Sequence, residues 1–257
     1  MPDPTDAADD AAAVVAAAAG ADDLDALGHA VVTCRACPRL VAWREQVGRE
    51  RRAAFADEEY WARPVPSFGD PDARVLLVGL APAAHGGNRT GRMFTGDRSG
   101  DFLVAALHRT GFANQGTSVA RDDGLVLTGL RMAAPVHCVP PENKPTPAER
   151  VTCAPYLARE LELVRPRVVV TLGAFGWGAV LDVLTGAGWD VPRPRPRFAH
   201  GAEVTIGSLV LLGCYHPSPH NTFTGRLTPD GVDALLLRAR ALASGAAPAP
   251  SVTPRPS

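Results

Sequence analysis

The chain has 257 residues, with 26 basic and 27 acidic side chains and a formal net charge of -1. That length fits one domain, or one domain with tails, and the near-neutral balance by itself argues against a nucleic-acid binder. No segment approaches the roughly 18 apolar residues of a membrane span, so no membrane partner is expected and a cytoplasmic location is.

Residues 1–22 are Ala/Asp-rich and are expected to form a disordered tail, at most a frayed helix. The run "AAAVVAAAAG" follows acids and lacks a basic flank, so it does not read as a secretory signal. Charge is unevenly placed: residues 1–27 hold seven acids and no Lys or Arg, which leaves 26 basic against 20 acidic groups, about +6, in the remainder. A single domain is expected over 23–242. The end, "ASGAAPAPSVTPRPS" (243–257), reads as a second, Pro-rich disordered tail.

Between the tails, short apolar runs alternate with longer helical patterns. "ARVLLVGL" (73–80), "GLVLTGLRM" (124–132), "PRVVVTLG" (166–173) and "SLVLLGCY" (208–215) predict strands apolar on both faces, as in a covered parallel sheet. "SGDFLVAALHRTGF", "PAERVTCAPYLARELELVRP", "GAFGWGAVLDVL" and "TPDGVDALLLRARAL" predict helices, the last opened by a cap-like Thr-Pro. The pattern is that of an α/β protein: a three-layer α/β/α sandwich around a central, mainly parallel four-stranded sheet. Ligands of such sheets bind at the carboxyl ends of the strands. Two unusual polar stretches, "GLAPAAHGGNRTGRMFTGD" and "HPSPHN", lie just after predicted strands.

Five cysteines in a cytoplasmic chain do not suggest a disulfide framework. Cys34 and Cys37 form a Cys-x2-Cys pair, and Cys138 and Cys153 flank a Pro-rich loop. Four thiols make a soft site suited to an iron–sulfur cluster or to zinc. The loop between Cys138 and Cys153 is not the second Cys-x2-Cys of a zinc ribbon, which favours a cluster over zinc. Cys214 sits inside a strand pattern and reads as a packed thiol.

"GLAPAAHGGNRTGRMFTGD", "CVPPENKPTP", "HPSPHN" and the four-cysteine set together resemble the family 5 (B-type) uracil-DNA glycosylases of bacteria and archaea, over about Cys34 to Arg240. The resemblance implies a monofunctional DNA-repair hydrolase, acting as a monomer, that flips a base out of DNA and cuts its N-glycosidic bond to leave an abasic site. It also implies that Cys34, Cys37, Cys138 and Cys153 hold a structural 4Fe–4S cluster. In such enzymes the sugar becomes oxocarbenium-like and uracil leaves as an anion. His216 matches the histidine that donates to uracil O2, Ser218 the serine that contacts a phosphate, and Phe94 the aromatic that stacks on the base. His220 stands where relatives place a wedge, often leucine, and Asn221 or Phe223 shares that position. Gly79, Gly86 and Gly87 permit close backbone approach to base or phosphate. Ala81 replaces the catalytic polar residue of other families, which leaves Asn88 to hold the water. Asp97 reads as a helix cap. Ala134 stands near an asparagine of several relatives, with Asn143 further along. Ser67, in "ARPVPSFGDP", belongs to a loop that pinches the DNA backbone, and Arg89, Arg92 and Arg226 flank the site as phosphate contacts. "RPRPRF" (193–198) is a further basic stretch whose common meaning is a solvated loop.

A pocket with few base-edge hydrogen bonds discriminates weakly. The resemblance adds which bases: beside uracil, some of hypoxanthine, xanthine, 5-hydroxymethyluracil or ethenocytosine are expected, as members of that family often accept them. Three rivals stand against this reading. A family 4 relative would carry an acid where Leu80 stands. A non-catalytic iron–sulfur DNA-damage-binding module would not need His216. A nucleotide-binding domain would need a Gly-rich phosphate loop that the chain lacks.

Overall fold

The computed structural model of the chain describes residues 4–245. Three helices come first: α1 (Pro4–Ala19), α2 (Leu24–Thr33) and α3 (Pro38–Glu50). There follow β1 (Phe68–Gly69), β2 (Val75–Val78), the single turn α4 (Gly87–Thr90), α5 (Arg98–Arg109), β3 (Leu130–Ala133) and α6 (Pro147–Val164). The chain closes with β4 (Val168–Leu172), α7 (Ala174–Gly186), β5 (Glu203–Ile206), β6 (Leu209–Cys214), the short α8 (Pro219–Phe223) and α9 (Pro229–Ser244).

The sheet runs β1-β3-β2-β4-β6-β5. Its four inner strands are parallel and are the four that the apolar runs predict. Two antiparallel edge strands, β1 and β5, extend the expected four to six. The predicted strand over 124–132 is shorter than expected: ladder pairing starts only at Leu130, and 124–129 is loop with one isolated bridge between Leu127 and Ala113.

Strand alternation sorts the core into two layers. Val75, Leu77, Leu130, Met132, Val168 and Val170 meet Leu103, Val104 and Leu107 of α5 and Leu235, Leu236 and Ala239 of α9. Leu76, Val78, Val169, Leu209 and Leu211 face the other way, onto Leu157 of α6 and Trp177, Val180, Leu181 and Leu184 of α7. Both faces are thus covered, as the continuous apolar strands require. Helix starts are set by side-chain caps: Asp97 for α5, Thr228 for α9, and a reciprocal Thr146–Glu149 capping box for α6.

The expected N-terminal tail is instead helical and docked. Val14, Ala18 and Ala21 are buried against Leu27, Val31 and Tyr156 of α6. Its composition suggests solvation, but a sparse apolar stripe is enough once another helix covers it. Residues 246–257 of the expected C-terminal tail lie outside the described residues, whereas its first residues end α9. No helix among the described residues is long and apolar enough to cross a membrane.

One ion pair ties the sheet to its helical cover. Arg131 of β3 donates from Nε to the Glu160 carboxylate of α6 and from Nη1 to the Gly69 carbonyl at 3.2 Å, and both side chains are buried. Removing one member strands a buried charge. Glu160→Ala should therefore cost about 3–5 kcal/mol, while the apolar double replacement Arg131→Met/Glu160→Leu should cost far less. Denaturant melts of the two variants check this: equal losses would show that the charge is not effectively buried.

Candidate active site and cysteine centre

Every inner strand ends on the same edge, and four loops leave from it. A cleft of about 990 Å³ opens there, over the end of β2. Sheet order reverses about this strand: β3 lies to one side and β4, reached by crossing over, to the other. Gly79, Leu80, Ala81, Pro82 and Ala83 form the floor, with Phe94, Asp97, Ala134 and His216 around it.

Phe94 and His216 face each other with ring centroids 6.4 Å apart and tilted by 39°. Phe94 is held at a positive φ of 50°, and a Cβ on Gly79 would lie 2.9 Å from its ring. Only glycine lets the ring lie across that strand end. His216 belongs to the turn after β6, where Asn221 Nδ2 donates to its carbonyl at 2.8 Å and Ser218 Oγ caps α8. Pro217 and Pro219 fix φ on either side of Ser218. Burial pulls the His216 pKa from 6.5 down to about 4, so at neutral pH the ring is uncharged and carries a single N–H. His220 and Phe223 stand exposed on α8, with the Arg98 guanidinium 5.5 Å from the Phe223 ring centroid.

The structure brings together Gly79, Ala81, Phe94, His216 and Ser218 of the sequence-predicted residues. It corrects others. Asn88 is fully buried; its amide donates at 3.3 Å to the Arg44 carbonyl, away from the cleft, so it is not placed to hold a water there. Arg89 reaches the cleft wall but is committed inward, donating to Glu58, to the His85 carbonyl at 2.8 Å and to the Gly96 carbonyl at 3.0 Å, with Phe55 against its face. Arg92 is buried, with Nη2 donating to both Asp123 carboxylate oxygens at 2.7 and 2.8 Å. Neither arginine is free for a phosphate. Ser67 Oγ is buried and turned away from solvent. The Asn221 amide is spent on its own loop. Arg226 does remain exposed, lying 4.3 Å over the Tyr215 ring, whereas Arg195 of the basic stretch pairs with Asp182.

Asp97 is the residue that motif reading leaves half seen. It caps α5, accepting from Gly100 N at 2.9 Å, and it also lines the cleft. A Cβ on Gly86 would lie 1.9 Å from Asp97 Oδ2, so the first loop closes over this carboxyl. Burial raises its pKa above the usual 3.8, against the pull of the Gly100 and Ser99 amides. His85 and Asn143 line the cleft too; His85 Nδ1 lies 3.0 Å from the Tyr60 hydroxyl.

Cys34, Cys37, Cys138 and Cys153 line a second pocket, with Val14, Arg44, His137 and Tyr156. Cys34 ends α2, Cys37 precedes α3 and Cys153 projects from α6. Burial pushes the Cys37 thiol up to about 12, with Cys138 and Cys34 adding to the rise. Cys138 rises to about 11 by burial, opposed by Arg44, and Cys153 is raised by burial and then by Cys138. The four thiols share one pocket. No three described His, Cys, Asp or Glu side chains converge tightly enough to hold a single ion. Cys214 lies apart in the core beneath α5 and α9.

Comparison with known proteins agrees with this geometry. Residues 66–239 match the family model described as the uracil DNA glycosylase superfamily. A type-5 uracil-DNA glycosylase of Mycobacterium tuberculosis is 53% identical over 229 residues, 88% of this chain and 84% of the relative. One of Thermus thermophilus is 49% identical over 224 residues, 86% and 99% of the two chains. A type-4 enzyme of Thermotoga maritima is 34% identical over 152 residues, 58% and 67%. With the matched motifs arrayed around one cleft, the chain belongs to the uracil DNA glycosylase superfamily and, within it, to the type-5 uracil-DNA glycosylases.

Proposed function

We propose that the chain excises uracil from DNA by hydrolysing the bond between N1 of the base and C1′ of the deoxyribose. The observation that carries this reading is the meeting of His216, Asp97 and Phe94 in one cleft at the carboxyl edge of the sheet. Phe94 offers a face for the extruded base. As the N1–C1′ bond breaks, its electron pair goes to the base, and the neutral His216 donates its N–H to O2, where negative charge grows. One such donor is worth about 2.7–4 kcal/mol. Water adds to C1′ and gives a proton to Asp97, a cleft-lining carboxylate at the start of α5. The products are the free base and an abasic sugar. Ser218 lines the cleft, and with the exposed His220 and Arg226 it contacts the DNA strand. The enzyme acts as a monomer.

Ala81 and Ala134 present no hydrogen-bonding side chain to the base, and the cleft is larger than a pyrimidine needs. Both features support acceptance of hypoxanthine, xanthine, 5-hydroxymethyluracil or ethenocytosine beside uracil.

The donor set of the second pocket fits a 4Fe–4S cluster. Cys34, Cys37, Cys138 and Cys153 would hold it, and Arg44, 2% exposed with a partnerless Nε, is a buried cation in need of an anion. Bound there, the cluster supplies cross-links between α2, α3, α6 and the loop after β3, and no electron transfer enters the hydrolysis. Zinc fits less well, because Cys138 and Cys153 flank a Pro-rich loop and do not form the second Cys-x2-Cys of a zinc ribbon.

Base release from a duplex with a central G·U pair tests the mechanism. His216→Ala should slow it by about 10²–10³-fold. Asp97→Asn should slow it by about 10²–10⁴-fold at nearly unchanged melting temperature, because asparagine still caps α5. An active Asp97→Asn enzyme would remove Asp97 from the reaction. Equal rates on thymine and uracil would defeat the pocket model.

The pH profile follows from the shifted groups. His216 is already neutral above about 4, so no inflection is expected at the ordinary histidine value of 6.5. The acid limb should belong to Asp97, which works deprotonated and loses activity as pH falls through a value above 3.8. An inflection near 6.5 that vanishes in His216→Ala would contradict this assignment.

Protein purified without oxygen should contain iron and acid-labile sulfide in equal amounts, and Cys153→Ser should lose both. Zinc without sulfide would replace the cluster by a metal ion.

A further inference from the structure

Two buried groups have no part in the hydrolysis, and they touch. Arg44 of α3 donates from Nη1 to Cys138 Sγ at 3.0 Å and from both Nη atoms to the Cys34 carbonyl at 3.2 Å. Among the described residues no carboxylate pairs with it. A guanidinium cannot shed its proton, and a buried one without a counter-charge is costly. Thiolates bound to a metal centre supply that counter-charge; four neutral thiols do not.

Asn88 receives the same helix from the other side. Its Nδ2 donates to the Arg44 carbonyl at 3.3 Å, and its own carbonyl accepts from Ala62 N at 3.0 Å. Trp61 N donates to the Arg89 carbonyl at 2.9 Å, so residues 61 and 62 are laced to α4. Two glycines make the contact this close. A Cβ on Gly48 of α3 would lie 2.6 Å from Ala62 Cβ, and one on Gly91 would lie 2.9 Å from the Trp61 ring. The α4 turn then closes on the cleft floor, with Asn88 N bonded to Ala83 O at 3.0 Å and Arg89 N and Thr90 N to Gly86 O at 2.9 Å. An unbroken line of contacts runs from Cys34 and Cys138 through Arg44 and Asn88 to the wall that holds Ala83, His85 and Gly86.

We infer that Arg44 and Asn88 are positioning residues that couple the cysteine centre to the cleft: Arg44 balances the charge of metal-bound thiolates, and Asn88 transmits the resulting placement of α3 to the α4 turn. This inference rests on reading the four cysteines as a metal centre. It assigns Asn88 a task at a distance from the reacting atoms, in place of the water-holding one that its motif suggests.

Amide hydrogen exchange at Asn88, Arg89 and Thr90 tests it, with metal content measured first on the same preparation. In the wild type, stripping the metal with a chelator should speed exchange of these three amides by about tenfold or more, while amides of β4 stay protected. In Asn88→Leu, loaded with metal, they should already exchange fast, and stripping should add little. Arg44→Leu should lose its metal to the chelator faster than the wild type, and Arg44→Lys should recover part of the difference. Should Asn88→Leu fail to fold, Asn88→Ser removes the same donor with less bulk. Unchanged exchange on stripping the wild type, or a metal-loaded Asn88 variant that behaves as the wild type, overturns the coupling and leaves the metal centre standing. Wild-type protein free of both iron and zinc overturns the metal-centre reading, and the coupling with it.

Discussion

A parallel sheet covered on both faces has nowhere to put chemistry except its ends. Val75 to Val78, Val168 to Leu172 and most of β6 are buried without remainder, and each side chain is committed to one helical layer or the other. The backbone must leave the sheet at the carboxyl edge, and there it meets water again. Everything polar and unusual in this molecule hangs on that edge: the first loop after β2, the cysteine loop after β3, Gly173 at φ 95° after β4 and the histidine turn after β6. Gly173 is part of the same arrangement, since a Cβ there would lie 3.6 Å from His216 Cβ. The cleft is thus a consequence of strand burial, and its residues converge because their strands are neighbours.

That logic explains what is legible in the sequence. Four all-apolar runs announce the inner strands, and the polar stretches just after them announce the site, so His216, Phe94 and Ala81 emerge where their motifs put them. β1 and β5 escape because one has only two residues and the other mixes exposed with buried positions. Position along a motif does not say which way a side chain points. Asn88 and Arg89 lie in the first motif, but the α4 turn rotates both inward, one to α3 and one to Glu58. Asp97 is correctly read as a cap, yet capping also aims a helix start at the cleft. A second role for the cap follows only from where α5 begins in space.

The arginine bias is a similar case. Lys144 is the one lysine, and arginine suits bidentate phosphate contacts. The structure buries four of the arginines. Arg44 faces the cysteine pocket, Arg92 pairs with Asp123, Arg131 with Glu160, and Arg89 closes against Glu58 and Phe55. A planar fork that binds phosphate also cross-links carbonyls and carboxylates within a fold. Counting arginines therefore overstates the charge available to a nucleic acid, and it understates how much of the framework around the cleft is held by them.

The docked N-terminal helix has an effect beyond stability. Residues 1–27 gather acids without a single base. Tethered loosely to an enzyme that grips a polyanion, such a segment would be a built-in competitor, present at an effective concentration on the order of millimolar. Val14, Ala18 and Ala21 seat it on α2 and α6 instead, and Val14 reaches the rim of the cysteine pocket. Three small apolar side chains thereby hold the end of this acidic segment on α2 and α6.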